Sequence, residues 1–534
     1  MAMERLFEGE IVRKRQIKFN HSQLVYVLDS SLTILDEVLQ QTLAQNTSEK
    51  MRSIVTTIQR EQNRIIRNDT AYNVIVQGAA GSGKTAIALH RIAYFLYKFR
   101  NTLSAEHIYI LSPNKVFGDY ISSVLPELGE EPVRSFTLDE LTKDLLSPEF
   151  TFTSFGDELK ELLSDPTGAL ATRAKVKGND RFVEMLQEYL YSLDPKMLKH
   201  ESITIDGMTF PAKELQRRFL HDRKEPVLTR LERMAEDILQ ALRARGAAGG
   251  KFPGKNEIMK RLRKLLQYTK SIEIYRSFME SLGEGLFKFE NNHFEFQDVY
   301  PYLYVELYFK GIGKFQSVQH LVVDEMQDYT PIQYAVLSRV FECRRTMIGD
   351  FSQALYPFPA ISKDSFEAIF SKQRTEYVEL TTTYRSTYEI AMYAQKFMRK
   401  GTLQQIARHG QAPREMTYIT VEQMVEYIRD LVNTKSKTTA IICKTERDMR
   451  TLQNHMDFPF AILDGRTEKL KTGTTILTTV QYAKGLEFDA VIVPFVNAAN
   501  YHTDFDRGLL YIAVTRAMHE LTILVDAGSP SPLL

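Results

Sequence analysis

The chain has 534 residues, and its 68 Lys plus Arg almost balance its 67 Asp plus Glu, leaving a formal charge of +1. With 43% hydrophobic and 25% charged residues it has ordinary globular usage, which excludes wholesale disorder and collagen-like repeats; the length suggests about three or four units of roughly 150 residues. Two cysteines, Cys343 and Cys443, make no disulfide framework, no apolar run approaches the ~20 residues of a membrane span, and no signal core opens the chain, so a reducing cytoplasmic setting is expected.

In chain order, Glu10 to Phe19 and Leu24 to Leu28 read as strands, and Leu32 to Leu43 and Ser48 to Asn68 as helices. Asn73-Val-Ile-Val-Gln is a short buried strand that runs into Gly78. A helix follows from about Lys84 to Lys98, then a strand over Ile108 to Leu111. From about Ser135 to Gln316 apolar residues recur at helical spacing, as in Leu228, Leu231, Met234, Ile238 and Leu242, with a glycine-rich break at Gly246 to Gly254. Strand signals return at Leu321 to Val323, Thr346 to Ile348, Glu376 to Leu380, Thr439 to Ile442, Ile476 to Thr478, Ala490 to Pro494 and Leu521 to Val525. Short apolar strands alternating with helices imply parallel α/β layers.

Gly78-Ala79-Ala80-Gly81-Ser82-Gly83-Lys84-Thr85 matches the phosphate-loop pattern GxxxxGK[ST]. Backbone N–H groups of such a loop hold phosphates, and glycines permit the close approach. Lys84 is expected to neutralise the β- and γ-phosphates of ATP, and the Thr85 hydroxyl to bind Mg²⁺. The strand His320-Leu-Val-Val ends in Asp324-Glu325, which supplies a second Mg²⁺ ligand, Asp324, and a base for the attacking water, Glu325. Asp324 lies 240 residues beyond Lys84 (324 minus 84), more chain than a nucleotide-binding fold needs there, so the helical stretch reads as an insertion.

Asp324-Glu-Met-Gln-Asp328 followed by Gly349-Asp350-Phe-Ser-Gln353 resembles motifs II and III of the UvrD-like superfamily 1 helicases. Ile58-Gln-Arg-Glu-Gln62, Ser112-Pro-Asn114-Lys115, Leu380-Thr-Thr-Thr-Tyr384-Arg385-Ser386, Thr479-Val-Gln-Tyr-Ala-Lys484-Gly485-Leu-Glu487-Phe488 and Leu510-Tyr-Ile-Ala-Val-Thr515-Arg516-Ala resemble, in order, the Q motif and motifs Ia, IV, V and VI. The resemblance covers two motor domains of roughly 350 residues together. It implies that Gln62 reads adenine and that Gln353 senses the γ-phosphate. It implies that Arg385 and Arg516 neutralise charge on the transferring phosphoryl group, and that Glu487 lies near the ribose. Asn114 in motif Ia and the aromatics Tyr356 and Phe358 match family positions that contact single-stranded DNA, where stacking suits a motor that grips any base. Three positions depart from the family pattern: Pro359 replaces arginine, Ser112 an aromatic residue and Gln481 a histidine. The ATP site is thus closer to the pattern than the DNA track.

Segments around Ala86 to Tyr97, Leu111 to Asn114, Val124 to Gly129 and Gly9 to Gln16 resemble the HelD branch, bacterial ATPases that act on RNA polymerase. The N-terminal helical hairpin usual in that branch is not found, so the chain is expected to be a shortened member or a truncated one. Only about 90 residues separate Ser386 from Thr479, too few for a large 2B domain beside the second motor's own fold. In the insertion, Lys260, Arg261, Arg263 and Lys264 form a basic cluster that suits nucleic-acid phosphates or an acidic protein.

The expected architecture is α/β with two RecA-like phosphate-loop domains and a largely helical insertion in the first. Residues 50–135 and 317–370 form the first domain, 136–316 the insertion and 371–534 the second domain. Residues 1–49 add strands and a helix to the first. The expected activity is that of an ATP- and Mg²⁺-dependent DNA helicase or translocase, with 3′-to-5′ movement implied by the resemblance. A HelD-like remodeller of RNA polymerase with little or no unwinding is the alternative.

Overall fold

The computed structural model describes residues 15–20, 23–29, 61–112, 131–244, 253–313, 315–356, 361, 363–370, 374–398, 404–405, 408–433, 438–464 and 475–534. Two six-stranded sheets organise the chain. The first runs in the order Thr375–Leu380, Asn73–Gly78, Arg344–Gly349, His320–Val323, Ile108–Leu111, Arg134–Phe136, with every pair parallel. The second runs Arg414–Tyr418, Ala517–Asp526, Phe488–Val496, Thr439–Cys443, Thr475–Thr479, Ala461–Leu463, again all parallel. The central strands are near-continuous apolar runs because helices cover both faces. Side chains alternate between faces: Val74 and Val76 join a core with Ile87, Ile92 and Phe95 of the helix Lys84–Lys98, while Ile75 enters a core on the other side.

One expected boundary moves. Thr375–Leu380 lies beyond the expected boundary at 370/371, yet it pairs with Asn73–Gly78 in full register, so it extends the first sheet. Its Tyr377 and Val378 pack against cores of the first sheet, and Leu380 is buried in one. Arg15–Asn20 and Gln23–Asp29 form their own antiparallel pair and add no strand to the six-stranded sheet. The helix expected at Leu32 to Leu43 lies outside the described residues.

The inserted arm is helical, with short two-residue and three-residue strands between helices. It is not insulated from the two sheets. Phe182, Leu186, Leu231, Ile238, Phe278 and Leu303 of the arm share one apolar cluster with Ile75, Leu111, Leu321 and Met347 of the first sheet. Leu159, Leu162, Leu163 and Ala174, also of the arm, share another with Ala440, Ile442, Ile476 and Val491 of the second sheet. Lys177 is buried in the arm because its ammonium meets Asp298 at 2.7 Å, and Tyr275 donates to the same carboxylate at 2.5 Å.

Candidate nucleotide site

The strand Asn73–Gly78 ends in the phosphate loop, and the helix Lys84–Lys98 begins directly after it. Gly81 and Gly83 sit at φ +73° and +80°, a region that side chains disfavour. A Cβ on Gly81 would also meet Arg385, and one on Gly83 would collide with the Tyr384 hydroxyl. The segment after Leu380 therefore lies against the loop. Thr383 Oγ1 donates to Ala80 O at 2.7 Å and Tyr384 N to Gly81 O at 3.2 Å. Lys84 Nζ donates to Gly78 O at 2.7 Å and Ala79 O at 2.9 Å, curling back on its own loop. Burial lowers the pKa of this ammonium, against the pull of Asp350, Glu325 and Asp324. Gln62 lies beside Gly83 and reaches toward Ser82 O at 3.5 Å, which brings the expected adenine reader to the loop.

Asp324 and Glu325 close the strand His320–Val323, which lies two strands from Asn73–Gly78. Glu325 adopts φ +48°, a left-handed conformation that costs a non-glycine residue of order 1–3 kcal/mol and is tolerated where surroundings over-determine it. Gln327 donates to its carboxylate and accepts Asp350 N at 2.9 Å, fixing the strand ends together. Burial pushes the Asp324 carboxyl well up, and Glu325 adds to the effect. Burial acts on Glu325 in the same direction, but Lys484, Lys84 and Arg516 outweigh it and hold this carboxyl below its usual range.

The second sheet delivers two cations across the cleft. Lys484 Nζ lies 2.5 Å from Asp328 Oδ2, 2.6 Å from Gln353 O and 3.6 Å from Glu325 Oε2. Arg516 Nη2 donates to Gln353 Oε1 at 2.9 Å. Gln353 Nε2 in turn donates to Asp350 Oδ2 at 3.0 Å, and Tyr511 O–H reaches the same oxygen at 3.4 Å. Arg385 is ion-paired with Glu487, and both line a narrow cleft with Ala80, Gly81 and Arg516. The structure thus brings Lys84, Asp324, Glu325, Gln353, Arg385, Glu487 and Arg516 to one cleft. Sequence reasoning assigned no role to Lys484, Asp328, Tyr384 or Tyr511. All four lie in or beside the motif-like segments, but their pairing spans long separations, 156 residues for Lys484 with Asp328.

The residues present suit a bound nucleotide and cation. Ser82 Oγ is buried in the loop with no hydrogen-bond partner among the described residues, and the buried Asp324 stands beside Glu325 where a cation would relieve both.

The nucleic-acid residues fare differently. Tyr356 was expected to offer its ring to bases; instead it is buried, stacks on Phe155 (centroids 6.3 Å, planes 9° apart) and donates to Glu158 Oε1 at 3.2 Å. The arm helix Phe155–Ser164 covers it, because its Leu159, Leu162 and Leu163 find an apolar partner in the second sheet's core. The same helix reaches helices that follow strands of the second sheet, with Gln481 of Val480–Ala483 donating to Gly156 O at 3.2 Å and Lys160 paired with Glu446 of Glu446–His455 at 3.2 Å. Asn114 and Phe358 lie outside the described residues. Lys260, Arg261, Arg263 and Lys264 are exposed on the helix Lys255–Lys264, whose Ile258, Met259 and Leu262 face inward. Arg261 is engaged by Glu257 at 3.2 Å and donates to Thr204 O at 3.0 Å.

Residues 58–369 match the model of the UvrD/REP helicase N-terminal domain, and 475–524 that of the UvrD-like helicase C-terminal domain. The chain belongs to the UvrD/REP helicase family. It is 26% identical to DNA helicase IV of Escherichia coli over 42% of this chain and 36% of that protein. It is 24% identical to a predicted ATP-dependent DNA helicase of Acanthamoeba polyphaga mimivirus over 40% of this chain and 35% of that one. The chain therefore spans about a third of the length of these relatives. Among solved structures, the C-terminal domain of a possible DNA helicase from Lactobacillus plantarum is 33% identical, covering 28% of this chain and 91% of that chain, with a TM-score of 0.25. Among the described residues no helix is long and apolar enough to cross a membrane.

Proposed function

We propose that the chain is an ATP- and Mg²⁺-dependent DNA motor of the superfamily 1 type, which hydrolyses ATP between its two sheets. The observation that carries this reading is the crossing of Lys484 and Arg516 from the second sheet onto Asp328, Glu325 and Gln353 of the first. A base and a charge stabiliser supplied from opposite walls act together only when the walls meet, which couples hydrolysis to their relative motion. Lys84 would leave its loop carbonyls for the β- and γ-phosphates, Thr85 and Asp324 would hold Mg²⁺, and Glu325 would orient the attacking water. The residues 50–135 with 317–380 are the first motor unit in this reading, and those beyond 380 the second. Lys84→Ala should abolish ATPase activity stimulated by single-stranded DNA; full activity in that variant would refute the assignment.

The burial of Tyr356 beneath the arm favours a second reading, in which ATP drives remodelling of a protein such as RNA polymerase and little strand movement occurs. ATPase activity indifferent to single-stranded DNA but raised by core RNA polymerase would select it. Cytoplasmic location belongs to either reading.

A further inference from the structure

Away from the phosphate loop, the arm and the first sheet's helices enclose a cleft of about 520 Å³. The helix Pro331–Val340 lines one side and the helices Asp180–Leu193 and Phe296–Phe309 the other. Pro331–Val340 starts just after Asp328 and returns to the head of the strand Arg344–Gly349. Arg339 thus lies toward the sheet edge opposite Lys84.

Two guanidinium groups line this cleft. Arg223 lies 5.0 Å from the Tyr191 ring centroid, and Arg339 lies 4.1 Å from that of Tyr304. Among the described residues neither forms an ion pair. A guanidinium held over a ring by its charge retains N–H groups that can fork onto an oxyanion. The acidic lining residue, Asp194, is already consumed by Arg230 at 2.9 Å and the Tyr308 hydroxyl at 2.7 Å. The lining therefore carries an uncompensated positive charge. Tyr191 is 66% exposed, unusual for so large a ring, and Leu190 and Phe370 add apolar wall.

A small inorganic anion would leave the aromatic and apolar wall unused, and an apolar ligand would leave two forks unpaired. A nucleotide carries a planar base and a phosphate in one unit, and the cleft falls in the usual range for such ligands. We infer that this cleft binds a nucleotide unit, with its base against Tyr191 and the apolar wall and its phosphate on the Arg223 and Arg339 forks. A free nucleotide and one unit of a single strand share that chemistry.

The test titrates the full chain with thymidine 5′-monophosphate and with a fluorescein-labelled oligo-dT of about a dozen nucleotides. The double variant Arg223→Ala/Arg339→Ala should lose at least about tenfold in affinity for the occupant. Its binding of a fluorescent ADP at the phosphate loop should be unchanged, which reports an intact fold. Loss for the monophosphate identifies a free-nucleotide site; loss for the oligonucleotide alone identifies a strand site. Tyr191→Ala should weaken the same probe, and Tyr191→Phe should not. Lys84→Ala should leave both signals, so failure here is separable from failure of the proposed ATP site. Wild-type affinity of the double variant for both probes overturns the inference. So does the absence of binding to the wild type, or a loss confined to a poly-glutamate peptide run alongside.

Discussion

Glu158→Gln should change how stability depends on pH. The Glu158 side chain is nearly sealed, 2% exposed, at the point where the arm covers Tyr356. Tyr356 donates to one oxygen at 3.2 Å and Gln297 N to the other at 3.3 Å. Glu295, bound by Arg173, and Asp298, bound by Lys177, stand close behind. Burial raises the Glu158 carboxyl from 4.5 to about 7; Glu295 and Asp298 add to this, while the two hydrogen bonds restrain it. That gap corresponds to roughly 3 kcal/mol. The folded chain holds this proton more tightly than the unfolded chain. Its contribution is therefore complete below 4.5 and is lost as pH rises through about 7. Glutamine keeps the shape and cannot ionise. The variant should match the wild type near pH 4 and exceed it by up to ~3 kcal/mol near pH 8, a shift of several degrees in melting. Thermal and urea unfolding across that range measures it. A difference between the two proteins that stays constant with pH would refute the reasoning.

Lys484→Met should lower kcat by about 10²–10³, because it removes the cation that joins Asp328 and Gln353 to the second wall and helps hold Glu325 ionised; steady-state ATPase within threefold of wild type would contradict this. Adding Asp328→Asn to that variant should cost much less than the two single effects combined, as a double-mutant cycle on ATPase rates would reveal. Replacing Lys260, Arg263 and Lys264 together by alanine should weaken single-stranded DNA binding and reduce its salt slope by about two, with basal ATPase unchanged. Phe155→Ala should free the Tyr356 ring and raise DNA-stimulated ATPase over basal; unchanged stimulation would show that the arm does not limit strand access.

The two six-stranded sheets were legible because parallel buried strands are unbroken apolar runs and each ends in a loop of marked composition. Asn73–Gly78, His320–Val323 and Thr439–Cys443 lie within a residue or two of their expected bounds. Arg134–Phe136 and Arg414–Tyr418 were missed: both are edge strands with exposed polar residues, so no apolar run marks them. Thr375–Leu380 was seen as a strand but placed in the wrong sheet, since partner choice is a long-range property. The phosphate loop, Asp324 and Glu325 were readable from local pattern, and Arg385 and Arg516 through the resemblance of their segments to helicase motifs. The Lys484 bridge was not, because a lysine in a short helical turn looks like any surface cation until its carboxylate is brought across from another sheet. The burial of Tyr356 was hidden for the same reason: its cover, Phe155, comes from about 200 residues upstream.

The arm's division between two cores has a mechanical consequence. Its helix Phe155–Ser164 is seated in the apolar core of one six-stranded sheet, while the bulk of its helices is seated in that of the other. A body anchored on both sides of a hinge cannot ride with either side. In the proposed motor, parting of the walls would make the arm slide on one seat or pivot like a crank. In that motor, such a pivot would carry the helix Lys255–Lys264, with its exposed Lys260, Arg263 and Lys264, along with the arm.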